Sequence, residues 1–178
     1  MRIFPYSSTP AEFRAHDPKA TEVARLLRRV LLDVEPRLQA EHFGSTSVPG
    51  CGGKGIIDLA ILYPEGLLAR ARAVLDGLGF QKQGGPGPFP ENRPMRLGCV
   101  EHEACPFRIH AHVVALGSDE HGELVWFRET LRGDSTLKQS YEERKRAILA
   151  MGIQDSIEYC KAKGVFITDV LKQRQPAV

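Results

Sequence analysis

Gly44-Ser45-Thr46-Ser47-Val48-Pro49-Gly50 leads, through Lys54 and Gly55, into Ile56-Ile57-Asp58-Leu59-Ala60-Ile61-Leu62. The second stretch is an apolar run with β-branched residues, bounded by Gly55 and Pro64. It reads as a buried strand that carries one carboxylate. Residues 38–43, just before the turn, read as a short extended segment. A strand that runs into Gly-Ser can turn sharply and leave backbone amides pointing outward, where they hold phosphate or another anion. Glycine suits the position because a side chain would block close approach. Gly44, Ser45, Thr46, Ser47 and Lys54 are therefore the candidate phosphate-binding residues. A charged carboxylate within an apolar strand must be paired, hydrogen-bonded or bound to a cation. Asp58 either holds a divalent metal beside bound phosphates or braces the glycine loop by accepting its amides.

Outward from this centre, Asp17-Pro18 can cap and start a helix. Val23, Leu26, Leu27, Val30, Leu31 and Val34 give it an apolar stripe, and Glu35-Pro36 ends it. Leu67, Leu68, Ala71, Val74, Leu75 and Leu78 mark a second helix, stopped by Gly79. Phe80 and Gln81 begin another short extended piece. Residues 83–94, rich in glycine and proline, form a long loop. That loop is either a lid delivering Arg93 or Arg96 to an anion, or a surface insertion. Residues 95–100 and 107–116 read as a hairpin with its turn near 101–106. Ser118 caps a helix with the stripe Leu124, Phe127 and Leu131. After Gly133 a further helix turns Leu137, Tyr141, Ile148 and Met151 inward and pairs Glu142 with Arg146. A last helix runs from about Asp155 to Lys172. The order predicts an α+β fold: a small mixed β-sheet, helices packed on one side, and a helical C-terminal part at 117–178. Residues 1–16 form an N-terminal arm.

The 178 residues fit one domain. A formal net charge of +2 is too small to argue for nucleic acid or an anionic membrane. No apolar run is long enough for a membrane span, and residues 1–10 lack the apolar core of a secretory signal. Cys51, Cys99, Cys105 and Cys160 show no Cys-x-x-Cys spacing. Reduced thiols and a cytoplasmic location are expected. The group Cys99, Glu101, His102, Glu103 and Cys105 holds zinc-binding residue types without the spacing of a closed zinc motif.

The segment 41–50, with Lys54-Gly55-Ile56-Ile57-Asp58, closely resembles the signature of the GrpB family, small bacterial proteins of nucleotidyltransferase fold. Ile109-His110-Ala111-His112-Val113-Val114 looks like that family's His-x-His strand. Phe127-Arg128-Glu129-Thr130-Leu131-Arg132, residues 141–145 and Lys163-Gly164-Val165-Phe166-Ile167 are similar to its later helices. The resemblance implies one nucleotidyltransferase-like domain over residues 1–178. Two departures stand out. Gly55 replaces a usual proline and should loosen entry into the strand, and Cys51 replaces an aliphatic residue.

Active nucleotidyltransferases place two carboxylates two residues apart on one strand, where alternation turns them to one face. Here the partner of Asp58 is Ala60, which cannot bind metal. The neighbouring strand carries His110 and His112, again on one face, and imidazole suits zinc or other transition metals better than magnesium. Asp58, His110 and His112 are thus the candidate catalytic and metal-ligating residues, for a divalent ion such as Mg, Mn or Zn. The alternative for the histidines is a hydrogen-bonded polar patch. The expected ligand is a nucleotide or another small molecule. The leading function is transfer of a nucleotidyl group from a nucleoside triphosphate to a small acceptor. The alternatives are a non-catalytic nucleotide- or anion-binding module, and different chemistry through Cys51, His110 or His112.

Overall fold

The apolar stripe behind Asp17-Pro18 builds the first helical layer. In the computed structural model, which describes residues 1–84, 87–153 and 156–174, α1 spans Lys19–Val34. Asp17 Oδ1 accepts from the Lys19 amide at 2.9 Å, as a cap should. Val23, Ala24, Leu27 and Leu31 are buried. Glu35 is extended, with φ −144°, which ends the helix before Pro36.

The chain continues through β1 (Gln39–Phe43), one 3₁₀ turn (Ser45–Ser47), β2 (Ile56–Tyr63), α2 (Leu68–Gly77), β3 (Gln81–Lys82), β4 (Met95–His102) and β5 (Cys105–Ala115). Three helices follow: α3 (Asp119–Gly133), α4 (Ser135–Ala150) and α5 (Ser156–Leu171). The expected start of the last helix at Asp155 lies outside the described residues. The five strands are ordered β1-β2-β5-β4-β3. β2 and β5 run parallel; the other pairings are antiparallel. This is the small mixed sheet of an α+β fold.

Alternation gives the sheet two unlike faces. Ile57, Leu59 and Ile61 of β2, with Ile109, Ala111 and Val113 of β5, form the main core against α1 and α2. The opposite face carries Asp58, Ala60, His110 and His112. Part of it is covered where Ala60, Leu62 and Val114 meet Phe43 and Leu124 of α3. The C-terminal helices share a second core with the loop after β1, through Val48, Cys51, Leu131 and Tyr141.

Four local expectations change. The hairpin is tighter than a turn over 101–106, because Glu103 (φ 49°) and Ala104 (φ 59°) alone make it. Met151 is 63% exposed at the end of α4, beyond its buried stripe. Glu142 accepts from the Gly52 amide, while Arg146 lies 3.6 Å over the Phe13 ring, so neither serves the expected pair. Gly55 adopts φ +68° with the Arg14 side chain against it. A proline could not take that conformation. Strand entry is set by a left-handed glycine rather than loosened. Among the described residues no helix is long and apolar enough to cross a membrane.

Candidate functional site

β2 and β5 pair with Asp58 opposite His110 and Ala60 opposite His112. Parallel register and alternation therefore put Asp58, His110 and His112 on one face. One ligand atom from each lies within 4.8 Å of the others. His110 Nδ1 is 3.6 Å from Asp58 Oδ1, and His112 Nε2 is 3.8 Å from the same oxygen. Two rings hold His112 edge-on, Phe43 at 5.3 Å and Phe89 at 5.5 Å between centroids. The outer nitrogen of His110 meets the Tyr6 hydroxyl at 3.1 Å.

Gly44 turns the chain with φ +70°, and the Asp58 carboxylate rests where a β-carbon would project. Both the backbone angle and the close approach require glycine. Ser47 Oγ donates to Gly44 O at 2.7 Å. Thr46 Oγ1 donates to Ile56 O at 3.2 Å, which leaves it to accept from His42 Nε2 at 2.9 Å. Thr46 and Ser47 are buried, and their hydroxyls brace the turn instead of lining the cavity. Gly44, Ser45 and Lys54 do line it. Asp58 does not brace the loop amides: among the described residues its close polar partners are the two imidazoles.

The cavity is about 670 Å³ and is rich in cations. Lys54, Arg93, Arg128, Lys145, Lys161 and Lys163 reach it, against Asp58, Glu120 and Glu123. Lys54 sits 4.3 Å over the Tyr159 ring. Lys161 and Lys163 at its C-terminal wall are residues sequence reasoning missed, and Tyr141, Arg144 and Lys145 read from the sequence as an ordinarily packed and solvated helix rather than as groups approaching the site. The signal was present: Lys145 sits on the stripe of Leu137, Tyr141 and Ile148, and it is 2% exposed. Its ammonium donates to Cys51 Sγ at 3.4 Å and to Gly52 O, and lies 4.3 Å over the Tyr141 ring. Arg144, by contrast, turns to Ala162 O.

Burial sets most of the proton affinities. It drives His110 and His42 down to about 4, so both are neutral imidazoles. Burial also lowers Lys54 and Lys145. Burial works against a charged Asp58, but the neighbouring His112 and His110 imidazoles and Lys163 outweigh it and hold the carboxyl below its ordinary value. Lys163 is raised, first by Tyr141 and then by Asp58. Burial raises the Cys51 thiol, the opposite of an activated nucleophile.

Other candidates fall elsewhere. Arg93 reaches the cavity but is clamped to Glu120 at 2.8 and 2.6 Å, fastening the 83–94 loop to α3. Arg96 is buried on the far face, bound to Asp76 at 2.6 Å and Glu91 at 3.0 Å. The group around Cys99 disperses. Glu103 pairs with Lys19 at 2.8 Å, Cys105 is exposed and Cys99 is buried. Among the described residues Asp58, His110 and His112 are the one group arranged to hold a metal.

The fold has counterparts among known proteins. A UPF0157 protein of Streptomyces coelicolor is 31% identical over 140 residues, 76% of this chain and 68% of the relative. The crystal structure of the conserved protein GrpB from Enterococcus faecalis is similar with a TM-score of 0.67 and 21% identity, covering 91% of this chain and 98% of that one. A structure of the Cid1 poly(U) polymerase with Mg and 3′-dATP bound is similar with a TM-score of 0.50 and 14% identity. That likeness covers 73% of this chain and 41% of the polymerase, and at this identity it is one of fold. The family described as GrpB protein matches residues 10–173. That span takes in the whole sheet, the Gly-Ser turn and the helices that wall the cavity, and the chain belongs to the GrpB family.

Proposed function

We propose that the chain binds a nucleoside triphosphate with one divalent cation and transfers a nucleotidyl group to a small acceptor. The observation that carries this is the convergence of Asp58, His110 and His112 within 4.8 Å, beside Ser45 in a cavity lined by lysines and arginines. The loop amides and the Ser45 hydroxyl face phosphate oxygens, and Lys54 and Lys163 balance their charge. One carboxylate with two imidazoles suits Zn better than Mg. Ala60, buried at 2% exposure, leaves no second carboxylate for a magnesium pair. Asp58, His110 and His112 would hold the cation, which when bound supplies charge stabilisation to the phosphoryl group. His110 fits a ligand role better than that of general base, because a value near 4 makes its imidazole a weak proton acceptor at neutral pH.

Ala60 also favours a second reading, a nucleotide-binding module without transfer. Chemistry through Cys51 has less support, since its thiol is buried and its pKa raised. Calorimetric titration with each nucleoside triphosphate, with and without Mg, Mn or Zn, tests the proposal. Saturable binding should require a cation and disappear in Asp58→Ala. Ser45→Ala should weaken it roughly tenfold, as for loss of one hydrogen bond to a charged group worth about 1.5 kcal/mol. Pyrophosphate release with hydroxyl acceptors then separates transfer from binding. No binding under any cation would overturn both readings.

A further inference from the structure

The N-terminal arm brings a side chain to the cation cluster. Phe4 pairs with Cys99 of β4, and Arg14 pairs with Gly53 beside the Gly-Ser turn. Between these anchors the Tyr6 amide donates to Gln81 Oε1 at 2.9 Å, and Arg108 holds Thr9 Oγ1 at 2.7 Å. The arm is thus laid across the edge of the site. Tyr6 packs its ring 5.6 Å from that of His110 and places its hydroxyl 3.1 Å from His110 Nε2. On the other side of the same imidazole, Nδ1 faces Asp58 Oδ1 at 3.6 Å.

We propose that Tyr6 is a positioning residue, whose hydroxyl fixes the orientation of the His110 ring so that Nδ1 is the atom presented to a cation beside Asp58 and His112. This rests on the cation reading above. A neutral imidazole carries one proton, and the partner of one nitrogen decides what the other can do. When the Tyr6 oxygen accepts from Nε2–H, the Nδ1 lone pair points into the cluster and is free to bind a metal. When the hydroxyl instead donates to Nε2, the proton sits on Nδ1 and faces the Asp58 carboxylate. A phenol serves both states because it can donate and accept. The ring keeps its place with or without the ion. Partners of this kind typically change metal affinity by about 10- to 100-fold.

Tyr6→Phe keeps the aromatic packing and removes the hydroxyl. Titration of the full chain with Mn or Zn alone should show at least a tenfold weaker affinity, with an unchanged circular-dichroism spectrum. A second readout needs no metal. The imidazole nitrogen resonances of His110 should shift and broaden in Tyr6→Phe as the ring loses its single orientation, while those of His112 stay in place. Wild-type affinity together with unchanged His110 resonances would overturn the proposal. If the wild-type chain binds no metal, the cation reading fails on its own account. The resonances then decide the positioning role: broadened signals uphold it, and unchanged signals sink it.

Discussion

Gly44 and Asp58 share one small volume, and that contact is the most specific feature of the turn. A side chain at Gly44 would meet both a left-handed backbone angle of +70° and the Asp58 carboxylate. With ψ −175° as well, Gly44 occupies a region essentially restricted to glycine, so Gly44→Ala should cost about 1–3 kcal/mol from the backbone alone. It should also move Asp58 and abolish cation binding. Chemical denaturation and metal titration of the same variant check the two effects, and an unaltered Kd would contradict the contact. Residue alternation made Asp58, His110 and His112 legible in the sequence, since period two fixes the face once the strands are known. The inward turn of Thr46 and Ser47 was not legible, because hydroxyls look alike until their partners are placed. Lys145 was open to discovery as a charge on an apolar stripe, but only the fold shows that it donates to Gly52 O.

Elements are joined by a small number of ion pairs, of which Glu35 is the clearest. At the end of α1 it accepts from Arg37 at 2.7 and 2.9 Å and from Arg70 of α2 at 2.7 Å. Hydrogen bonds from Arg37 and then Arg70 hold its carboxyl down to about 2. A depressed carboxylate contributes stability that is complete above its unfolded value, near 4.5, and is lost as pH falls through the folded value. Melting curves of wild type and Glu35→Gln should therefore differ near neutral pH and converge between pH 4.5 and about 2. Curves that stay parallel over this window would contradict the linkage. The helices and long strands were readable from periodicity and caps. The β4–β5 hairpin was readable too, and its turn falls inside 101–106; its tight two-residue form was not, because Glu103 and Ala104 both take positive φ without the Asn or Gly that announces such a turn.

At the scale of the molecule, the cavity exists because α3, with α4 and α5 behind it, returns to the face of the sheet that α1 and α2 leave open. Lys145 fastens that return to the loop after β1. Lys145→Ala would leave the buried Gly52 carbonyl with only the weak Cys51 thiol as donor, a cost of about 1–3 kcal/mol. For a chain of this size that corresponds to a fall in Tm of roughly 2–4 °C per kcal/mol, measurable by calorimetry. An unchanged Tm would show that the clamp is not needed. The convergence of the N-terminal arm and the C-terminal helices on one site was beyond the sequence, because contacts between distant segments leave no local pattern. The central claim is that Asp58, His110 and His112 hold a single cation beside a bound nucleoside triphosphate. The most direct measurement is an anomalous-diffraction crystal structure of the chain with Mn or Zn and a non-hydrolysable triphosphate. The account predicts one peak about 2.0–2.2 Å from Asp58 oxygen, His110 Nδ1 and His112 Nε2, with phosphate oxygens toward Ser45. A metal and triphosphate bound elsewhere, or no peak between these three side chains, would contradict it.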